Sequence, residues 1–433
     1  MNLRQFFTLL RQQRLFSGIY ITCTALSVAL AMTLFLVVYI KFGPIYPEQD
    51  RARMAVVSYV AASNSLSEQT LSSGASIQLA DTLRQMPEVE NLTCIADADH
   101  YASVNNVRAT EGNVVPCKAW IVDDEYWKVF NFRFLHGRGL GKTECESFAP
   151  VCVVSETLAR KVFGRSDVVG CDLKFNTWRT DSIKRIVGVV EDVSPATPMT
   201  YGHLWIGPTQ AITRGYYGGL PLIGSFTLVM RLRPGHTLTM LQERVAEFQK
   251  RINLEHSLPN WEVSMADQPD AYWAAPFREA DQLDAKPFMR QILYMLLAFL
   301  LLPAINMGSM VAGRMGGRIN ELGIRRAYGA TRKRLVWQVL QENFLLTLIG
   351  GLAGLLLSWL IMNVCSDWLP FVFNSSDMEL DDTVFLHADM LFSGWVMLAV
   401  LAVCMILNLV SALVPTLWFL YKPVTEALNH KQN

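Results

Sequence analysis

The sequence predicts a membrane protein with four transmembrane α-helices and a large α+β extracytoplasmic domain inserted between spans one and two. Three observations predict this fold class. Of the 433 residues, 51% are hydrophobic and only 18% are charged, which is too apolar for an ordinary soluble enzyme. Four windows free of charge reach the ~20 residues that cross hydrocarbon. A mixed segment of strand-like and helix-like patterns separates the first window from the second.

The windows and their flanks divide the chain into nine segments. They are an amphipathic cytoplasmic or interfacial helix (1–16), the first span (17–40), the extracytoplasmic domain with a stalk (41–289), the second span (290–313), a cytoplasmic loop (314–342), the third span (343–366), a short outer loop (367–390), the fourth span (391–415) and a cytoplasmic tail (416–433).

Charge orients these spans, because short basic segments beside spanning helices stay on the cytoplasmic side. The tail before the first span carries three Arg and no acid. Loop 314–342 carries seven Lys or Arg against two Glu, whereas loop 367–390 is acidic and has no Lys or Arg. We therefore expect a multi-pass protein with both termini in the cytoplasm and segment 41–289 outside.

The N-terminal segment has apolar residues at helical spacing, Leu3, Phe6, Phe7 and Leu10. This spacing suits a short helix in the membrane interface, and a plain cytoplasmic extension of the first span fits as well. The apolar run of the first span is longer than a signal-peptide core, and no small-x-small pattern follows it. We therefore expect a retained anchor.

The outer segment mixes the two periodicities that build an α+β domain. Pro150–Val154 is strand-like and leads into Ser155–Phe163, a helix with a Ser cap. Arg185–Val190 is a β-branched strand, and Thr237–Asn253 is an amphipathic helix. Ala275–Arg290 is charged and helical in pattern, so it forms either a stalk continuous with the second span or a surface helix broken at Pro287.

Five of the eight cysteines lie in this outer segment, so at least one has no partner within it. The shortest spacing that suggests a disulfide is Cys145 with Cys152. We expect no metal site, because the chain has no CxxC or HExxH pattern.

No motif in the sequence predicts enzymatic activity, a bound nucleotide or a nucleic-acid partner. Gly137–Thr143 reads GRGLGKT, but a phosphate loop requires glycine where His136 stands, and the segment is predicted to lie outside. We interpret it as a surface turn. The acidic run Asp123–Glu125 is interpreted as a solvated face. The uncharged span windows argue against a carrier driven by protons or ions.

Two features of the membrane segment suggest specific contacts. Gly350, Gly351 and Gly354 in the third span permit close helix packing. In loop 314–342, glycines interrupt a helical stretch, and Thr331 would cap a helix at Arg332–Glu342. This loop suits either a cytoplasmic partner that passes force into the spans or a basic patch on anionic membrane lipid.

An ordered run of residues through the loop and the third span resembles the FtsX/MacB-type permeases of ABC transporters. It comprises Asn306, Glu321, Gly323, Arg325, Arg326, Gly329, Ala330, Gln338, Glu342, Gly350, Gly351 and Gly354. Pro423–Leu428 resembles the ending of that family. The outer stretches Val153–Phe163 and Ile186–Val190 are similar to its MacB-like periplasmic core domain.

The resemblance implies a four-span type VII ABC permease of the inner membrane, with porter-like and sabre-like parts in its outer domain. It implies that Glu321, Gly323, Arg325, Arg326, Gly329 and Ala330 dock a separate ABC ATPase subunit. ATP would be bound and hydrolysed by that partner, so this chain needs no cofactor. Two permease chains would form a homodimer or heterodimer, and the outer domain would transmit force (mechanotransmission), with a periplasmic adaptor and outer-membrane channel as further partners.

The chain departs from the family pattern at Gly317 and Asn320, where a charged pair is common, and at Trp418–Leu420, where basic residues are usual. These positions bear on docking and leave the fold unaffected. The favoured function is efflux of peptides, toxins or drugs. The alternatives are a lipoprotein-extraction permease, a division-type regulator of an outer cell-wall hydrolase, and a receptor without an ATPase.

Overall fold

A computed structural model describes most of residues 14–364 and residues 394–421. The gaps within the first range are 65, 67–68, 110–113, 177–180, 196, 214–219, 221, 256–260, 266–267, 275–286, 288–289, 296, 299–300, 302–307, 309–310, 314–323 and 326–327. The described residues form two compact units. The outer unit holds those of Tyr39–Ala285, and the membrane unit holds those up to Val38 and those from 287 onward.

Ten described helices carry labels here. They are α1 (Arg14–Phe42), α2 (Ile77–Arg84), α3 (Ala98–Ala102), α4 (Tyr126–Val129), α5 (Lys142–Glu146), α6 (Glu156–Phe163), α7 (Gln210–Thr213), α8 (Leu238–Glu255), α9 (Arg332–Val364) and α10 (Gly394–Tyr421).

The described strands all belong to the outer unit. They are β1 (Met54–Val57), β2 (Val60–Asn64), β3 (Thr70–Ala75), β4 (Val89–Asp97), β5 (Asn106–Ala109), β6 (Val115–Pro116), β7 (Ala119–Val122), β8 (Phe134–Gly137), β9 (Val151–Ser155), β10 (Asp172–Asn176), β11 (Asp181–Val190), β12 (Leu204–Ile206), β13 (Ile223–Gly224), β14 (Thr227–Leu232), β15 (Trp261–Ser264) and β16 (Asp270–Ala271).

Twelve strands form one mixed sheet in the order β16-β1-β14-β4-β7-β12-β9-β11-β10-β5-β6, with β8 paired to β11. The pairs β9–β11 and β7–β12 are parallel, and the other pairs are antiparallel. Four strands form a second, smaller sheet in the order β13-β3-β2-β15. The predicted mixture of strands and helices in the outer segment is confirmed.

The central strands of the large sheet are buried on both faces. In β9, Val154 packs in one apolar cluster and Val153 in the other, because successive side chains point to opposite faces. The predicted Ser-capped helix is confirmed, since Ser155 Oγ accepts from the Leu158 amide at 3.2 Å. Gly164 ends that helix with φ +73°, in the left-handed region that favours glycine.

The expected Cys145–Cys152 pairing is wrong. Both are free thiols. Cys152 points into the cluster that contains Val154, whereas Cys145 packs with Val153 on the other face of the sheet. A sheet therefore separates two thiols that are only seven residues apart in sequence.

The interpretation of Asp123 as part of a solvated face is also wrong. Its carboxylate accepts from Thr93 Oγ1 at 2.6 Å, from the Cys94 amide at 3.1 Å and from the Tyr126 amide at 3.2 Å. Arg84 Nη2 pairs with it at 2.7 Å. Asp123 thus joins α2, β4 and the start of α4 at the end of β7. A run of three acids could not reveal which one turns inward.

Three described helices of the membrane unit are long and apolar enough to cross a membrane, within Ser17–Ile40, Arg332–Val364 and Met397–Trp418. The predicted second span, 290–313, is described only in part, and its described residues are helical. The second span, and with it the total of four spans, therefore remains a prediction.

The helix bounds differ from the predicted spans. Residues 14–16, assigned to the N-terminal segment, belong to α1. The third span begins eleven residues earlier, because the helix predicted at Arg332–Glu342 continues without a break into it. The last helix runs through Pro415 to Tyr421, into the predicted tail. Helices can extend into water beyond the membrane. An uncharged stretch of sequence therefore marks the part within the membrane and does not mark where the helix begins or ends.

We predict that Asp123→Ala lowers the free energy of unfolding of the outer unit by ~3 kcal/mol, because it leaves the Thr93 hydroxyl and the Cys94 and Tyr126 amides without their acceptor and removes one of the two carboxylates that pair with Arg84. For a unit of this size the unfolding temperature should fall by roughly 6–12 °C. Tryptophan fluorescence of the purified chain measures this. Asp124→Ala is the matched control, and equal unfolding temperatures for the two variants would contradict the role assigned to Asp123.

Candidate functional site

The candidate functional site is the turn before α9 together with the helix contacts of α9. Gly329 has φ +92°, and the Ala330 amide donates to the Arg325 carbonyl at 3.0 Å. The amides of Arg334 and Leu335 donate to the Thr331 carbonyl, so the helix begins directly after the turn. Glycine is required at 329 because other residues rarely adopt that conformation.

Arg325 connects the turn to α9, because its Nη1 donates to Gln338 Oε1 at 3.0 Å. Ile324 and Tyr328 (89%) lie near it in the sequence, Trp337 (64%) precedes Gln338 on α9, and all three side chains are exposed. An aromatic and basic surface of this kind suits a protein partner. Of the other predicted docking residues, Glu321, Gly323 and Arg326 lie outside the described residues.

The opposite side of α9 packs into the membrane unit. Val339 and Leu346 share an apolar cluster with Tyr20 of α1, Val311 and Ala412 of α10. Glu342, at the junction of the predicted loop and span, is 3% exposed. A single helix therefore carries the exposed turn at one end and the core of the bundle along its length.

The glycines of α9 lie at two helix contacts. A Cβ at Gly350 would meet Thr24 Cβ at 2.7 Å, and one at Gly354 would meet the Ala25 carbonyl oxygen at 2.6 Å. Both face α1. A Cβ at Gly351 would meet Leu401 Cδ1 of α10 at 2.6 Å. In this arrangement two glycines bring the α1 backbone close and the third accommodates a side chain of α10.

The contacts between α1 and α9 progress in the same direction along both helices. Tyr20 Oη lies 3.2 Å from Thr347 Oγ1. One turn further along each helix Thr24 meets Gly350, and one more turn on Val28 meets Gly354. The two helices are therefore parallel. Sequence reasoning identified the glycines and did not identify Tyr20 or Thr347, because a single hydroxyl in an apolar run does not indicate its partner.

The GRGLGKT segment is a turn leading into the short helix α5. The Gly141 amide, which a phosphate would need, donates to Glu144 Oε2 at 2.8 Å. Arg138 pairs with the same carboxylate at 2.7 Å. The Glu144 carboxylate therefore occupies the anion position of this turn, and Arg138 lowers the pKa of Glu144 by hydrogen bonding to it.

Comparison with known families finds two matches that together cover most of the chain. The model of the MacB-like periplasmic core domain matches residues 17–248, more than half of the 433 residues. The model of the FtsX-like permease C-terminal region matches residues 293–423.

Curated relatives include the macrolide export ATP-binding/permease protein MacB of Bdellovibrio bacteriovorus, 26% identical over 52% of this chain and 32% of that protein. The uncharacterized ABC transporter permease YvrN of Bacillus subtilis is 22% identical over 60% of this chain and 61% of that one. The chain thus spans about a third of the length of the first relative and under two thirds of the second.

Among solved structures, the periplasmic region of MacB from Actinobacillus actinomycetemcomitans aligns with a TM-score of 0.36 and 14% identity. The alignment covers 54% of this chain and 94% of that one.

We predict that Gly354→Ala destabilises the membrane unit by ~1–3 kcal/mol, because the added methyl group meets a backbone oxygen that cannot move alone. Gly351→Ala should cost less, since only the end of the Leu401 side chain must turn. Gly313→Ala is the control, because no atom of the described residues lies within 4 Å of its Cβ position. Thermal unfolding in detergent tests this ranking of the three variants by stability. A Gly354 variant as stable as the Gly313 variant would contradict the ranking.

Proposed function

We propose a function from the premise that the chain belongs to the FtsX/MacB-type ABC transporter permeases, with a MacB-like periplasmic core domain and an FtsX-like C-terminal region. In this proposal the chain is a permease subunit that couples a separate cytoplasmic ABC ATPase to conformational change of its outer unit. The ATPase binds and hydrolyses ATP, and this chain supplies no catalytic residue.

The observation that carries this proposal is the attachment of the exposed turn to α9. Arg325 bonds to Gln338 on the helix, while Tyr328 and Trp337 remain exposed beside it. An ATPase that binds this surface would act directly on a helix of 33 residues. At 1.5 Å per residue this helix is about 50 Å long, against ~30 Å for the hydrocarbon layer.

The parallel contact of α1 and α9 supplies the next step of the mechanism. Displacement of α9 acts on α1 through the close approach at Gly350 and Gly354, where close-packed helices cannot shift independently. Because α1 is unbroken from Arg14 to Phe42, it carries the displacement toward the first residues of the outer unit. This path is the mechanotransmission that we assign to the chain.

The favoured output of this motion is export of a substrate from the outer side of the membrane. Relatives whose names state macrolide export support an export role, and we propose peptides, toxins or drugs as the substrate class. Two permease chains complete the transporter, and a periplasmic adaptor with an outer-membrane channel is the proposed route onward.

We propose that the chain lies in the inner membrane with both termini in the cytoplasm. The parallel direction of α1 and α9 supports this topology. Two parallel spanning helices start on the same side, so the chain must cross back between them, as the predicted second span does. The basic loop 314–342 and the acidic loop 367–390 agree with it.

Cysteine labelling tests this topology. Leu66→Cys in the outer unit should react with a membrane-impermeant maleimide on intact cells, because this side chain is 78% exposed. Tyr328→Cys, which is equally accessible in the folded chain, should react only after the membrane is opened. Labelling of position 328 from outside would contradict the topology and, with it, cytoplasmic docking.

Charge reversal tests the docking surface. We predict that Arg325→Glu reduces co-purification of the ATPase from native membranes by at least about tenfold, because it disrupts the contact with Gln338 and reverses a charge at the interface. Membrane insertion should be unchanged. Mass spectrometry of the affinity-purified complex measures the ratio of ATPase to permease.

Lys333→Glu is the control, since Lys333 has the same sign, is exposed on the first turn of α9 and is not one of the residues that carry the family resemblance. Docking predicts that only the Arg325 variant loses the ATPase. A lipid patch predicts that both variants bind anionic vesicles less well and that neither changes ATPase recovery. That second result would contradict the proposed function.

A further inference from the structure

A buried ion pair lies immediately after the first span, wholly within the outer unit. Arg51 donates to Glu48 Oε2 through Nε at 2.8 Å and through Nη2 at 2.6 Å. Glu48 is 0% exposed and Arg51 is 4% exposed. The other carboxylate oxygen of Glu48 accepts from Thr200 Oγ1 at 2.8 Å. Each charge is therefore neutralised and hydrogen-bonded, as burial requires.

The same arginine holds the end of α1. Its Nη1 donates to the carbonyl oxygens of Ile40 at 3.1 Å and Gly43 at 3.0 Å. The last carbonyl groups of a helix have no partner within the helix, and a cation there also interacts favourably with the helix dipole. Arg51 thus joins the outer end of the first span to Glu48.

The pair also contacts the last described part of the outer unit before the chain leads back toward the second span. The Arg51 guanidinium lies 5.6 Å from the ring centre of Tyr272, which is itself buried. The Tyr272 amide donates to the Met54 carbonyl at 3.2 Å, and β16 pairs with β1. The ring of Trp273 meets that of Phe42 edge-on at 6.5 Å.

We call Glu48, Arg51, Thr200 and Tyr272 the Glu48–Arg51 hub. Burial, and next the Glu48 carboxylate, raise the pKa of the Tyr272 phenol, so it stays neutral at physiological pH. Residues 40–43, at the end of α1, and residues 272–273, at the end of the described part of Tyr39–Ala285, meet at this hub.

Stability alone is a weak reason for such a hub, because a buried ion pair adds little net stability over apolar side chains of equal volume. The geometry of the Arg51 side chain gives a more specific reason for the hub than stability does. Arg51 directs two nitrogens to a carboxylate and a third to helix carbonyls at the same time. A guanidinium has this planar fork of donors, and a lysine ammonium does not.

We propose that Glu48 and Arg51 are positioning residues that lock the end of the first span to segment 270–274, so that these two segments move as one body. The direction of the motion rests on the proposed function, whereas the lock itself does not. A displacement of α1 therefore reaches β1 and β16 of the large sheet without loss at the junction.

Hydrogen–deuterium exchange of the full chain in detergent tests the lock in the resting state. Arg51→Lys keeps the charge but cannot bridge Glu48 and the helix carbonyls together. We expect exchange to rise by about tenfold in peptides that contain Gly43 and in peptides that contain Tyr272, and to stay unchanged in β9. Arg53→Lys is the matched control, two residues away in an exposed pair with Asp50 and Glu90.

A rise confined to the peptides around Gly43, or equal effects of the two variants, would overturn the proposal. If Arg51→Lys unfolds the outer unit, Thr200→Val tests the lock instead, because it removes one hydrogen bond to Glu48 and leaves the ion pair with Arg51 in place. That variant should raise exchange at both segments by a smaller factor, and a rise at one segment alone would overturn the lock.

A second measurement uses the co-purified complex with its ATPase, with and without ATP and orthovanadate. The wild-type chain should change its exchange at both segments together. The Arg51→Lys variant should keep ATP hydrolysis and the change around Gly43 but lose the change around Tyr272, a split that general destabilisation would not produce. A wild-type chain without a nucleotide response would contradict the proposed function, while the resting-state result would still decide the lock.

Discussion

The close approach of α1 and α9 is the contact on which the membrane unit depends. Lipid offers no hydrophobic drive to bring two apolar helices together, so their association rests on packing and on the few polar groups between them. Gly350 and Gly354 lack the side chains that would hold the backbones apart, and the hydroxyls of Tyr20 and Thr347 meet one turn before them. The parallel order of these contacts also determines which ends of the helices lie together.

In the outer unit, buried polar groups help to determine how neighbouring elements are arranged. The large sheet is apolar on both faces. Burial of apolar side chains stabilises the unit, but it is non-directional and does little to orient the elements packed on the sheet. Orientation comes from groups such as Asp123, which ties helix α2 to the strands, and from the Glu48–Arg51 hub at the junction with the first span. Because an unpaired charge is costly in such surroundings, arrangements that break these contacts are disfavoured.

The proposed function would not require an ionisable group in the middle of the spans, because the energy would come from ATP hydrolysed by the partner. This energy would arrive at the exposed turn beside Arg325, where a partner can bind. In the proposed function the displacement would pass from the turn to α9, through the glycine contact to α1, and along α1 to the hub that holds its end. Packed helices and satisfied ion pairs transmit displacement because they resist deformation.

The sequence by itself determined the class of fold and the order of its parts. Uncharged windows predicted the membrane helices, and the Ser caps and alternating patterns predicted elements such as α6 and β11, because these signals are local and depend on the period of one element. The glycines of the third span could likewise be recognised before their partners were known. The ends of the helices could not be predicted from the uncharged windows. A window ends where charged residues begin, near the membrane surface, whereas a helix can continue beyond that surface.

Only the tertiary structure decided which groups meet. It turned Asp123 inward, separated Cys145 from Cys152 by a sheet, and joined Arg51 to Ile40, Thr200 and Tyr272 through one carboxylate and one guanidinium. No local pattern predicts these relations, because partners such as Cys94 of Asp123 and Thr200 of Glu48 lie far apart in the chain, and because the sheet that separates the two thiols is built from distant strands.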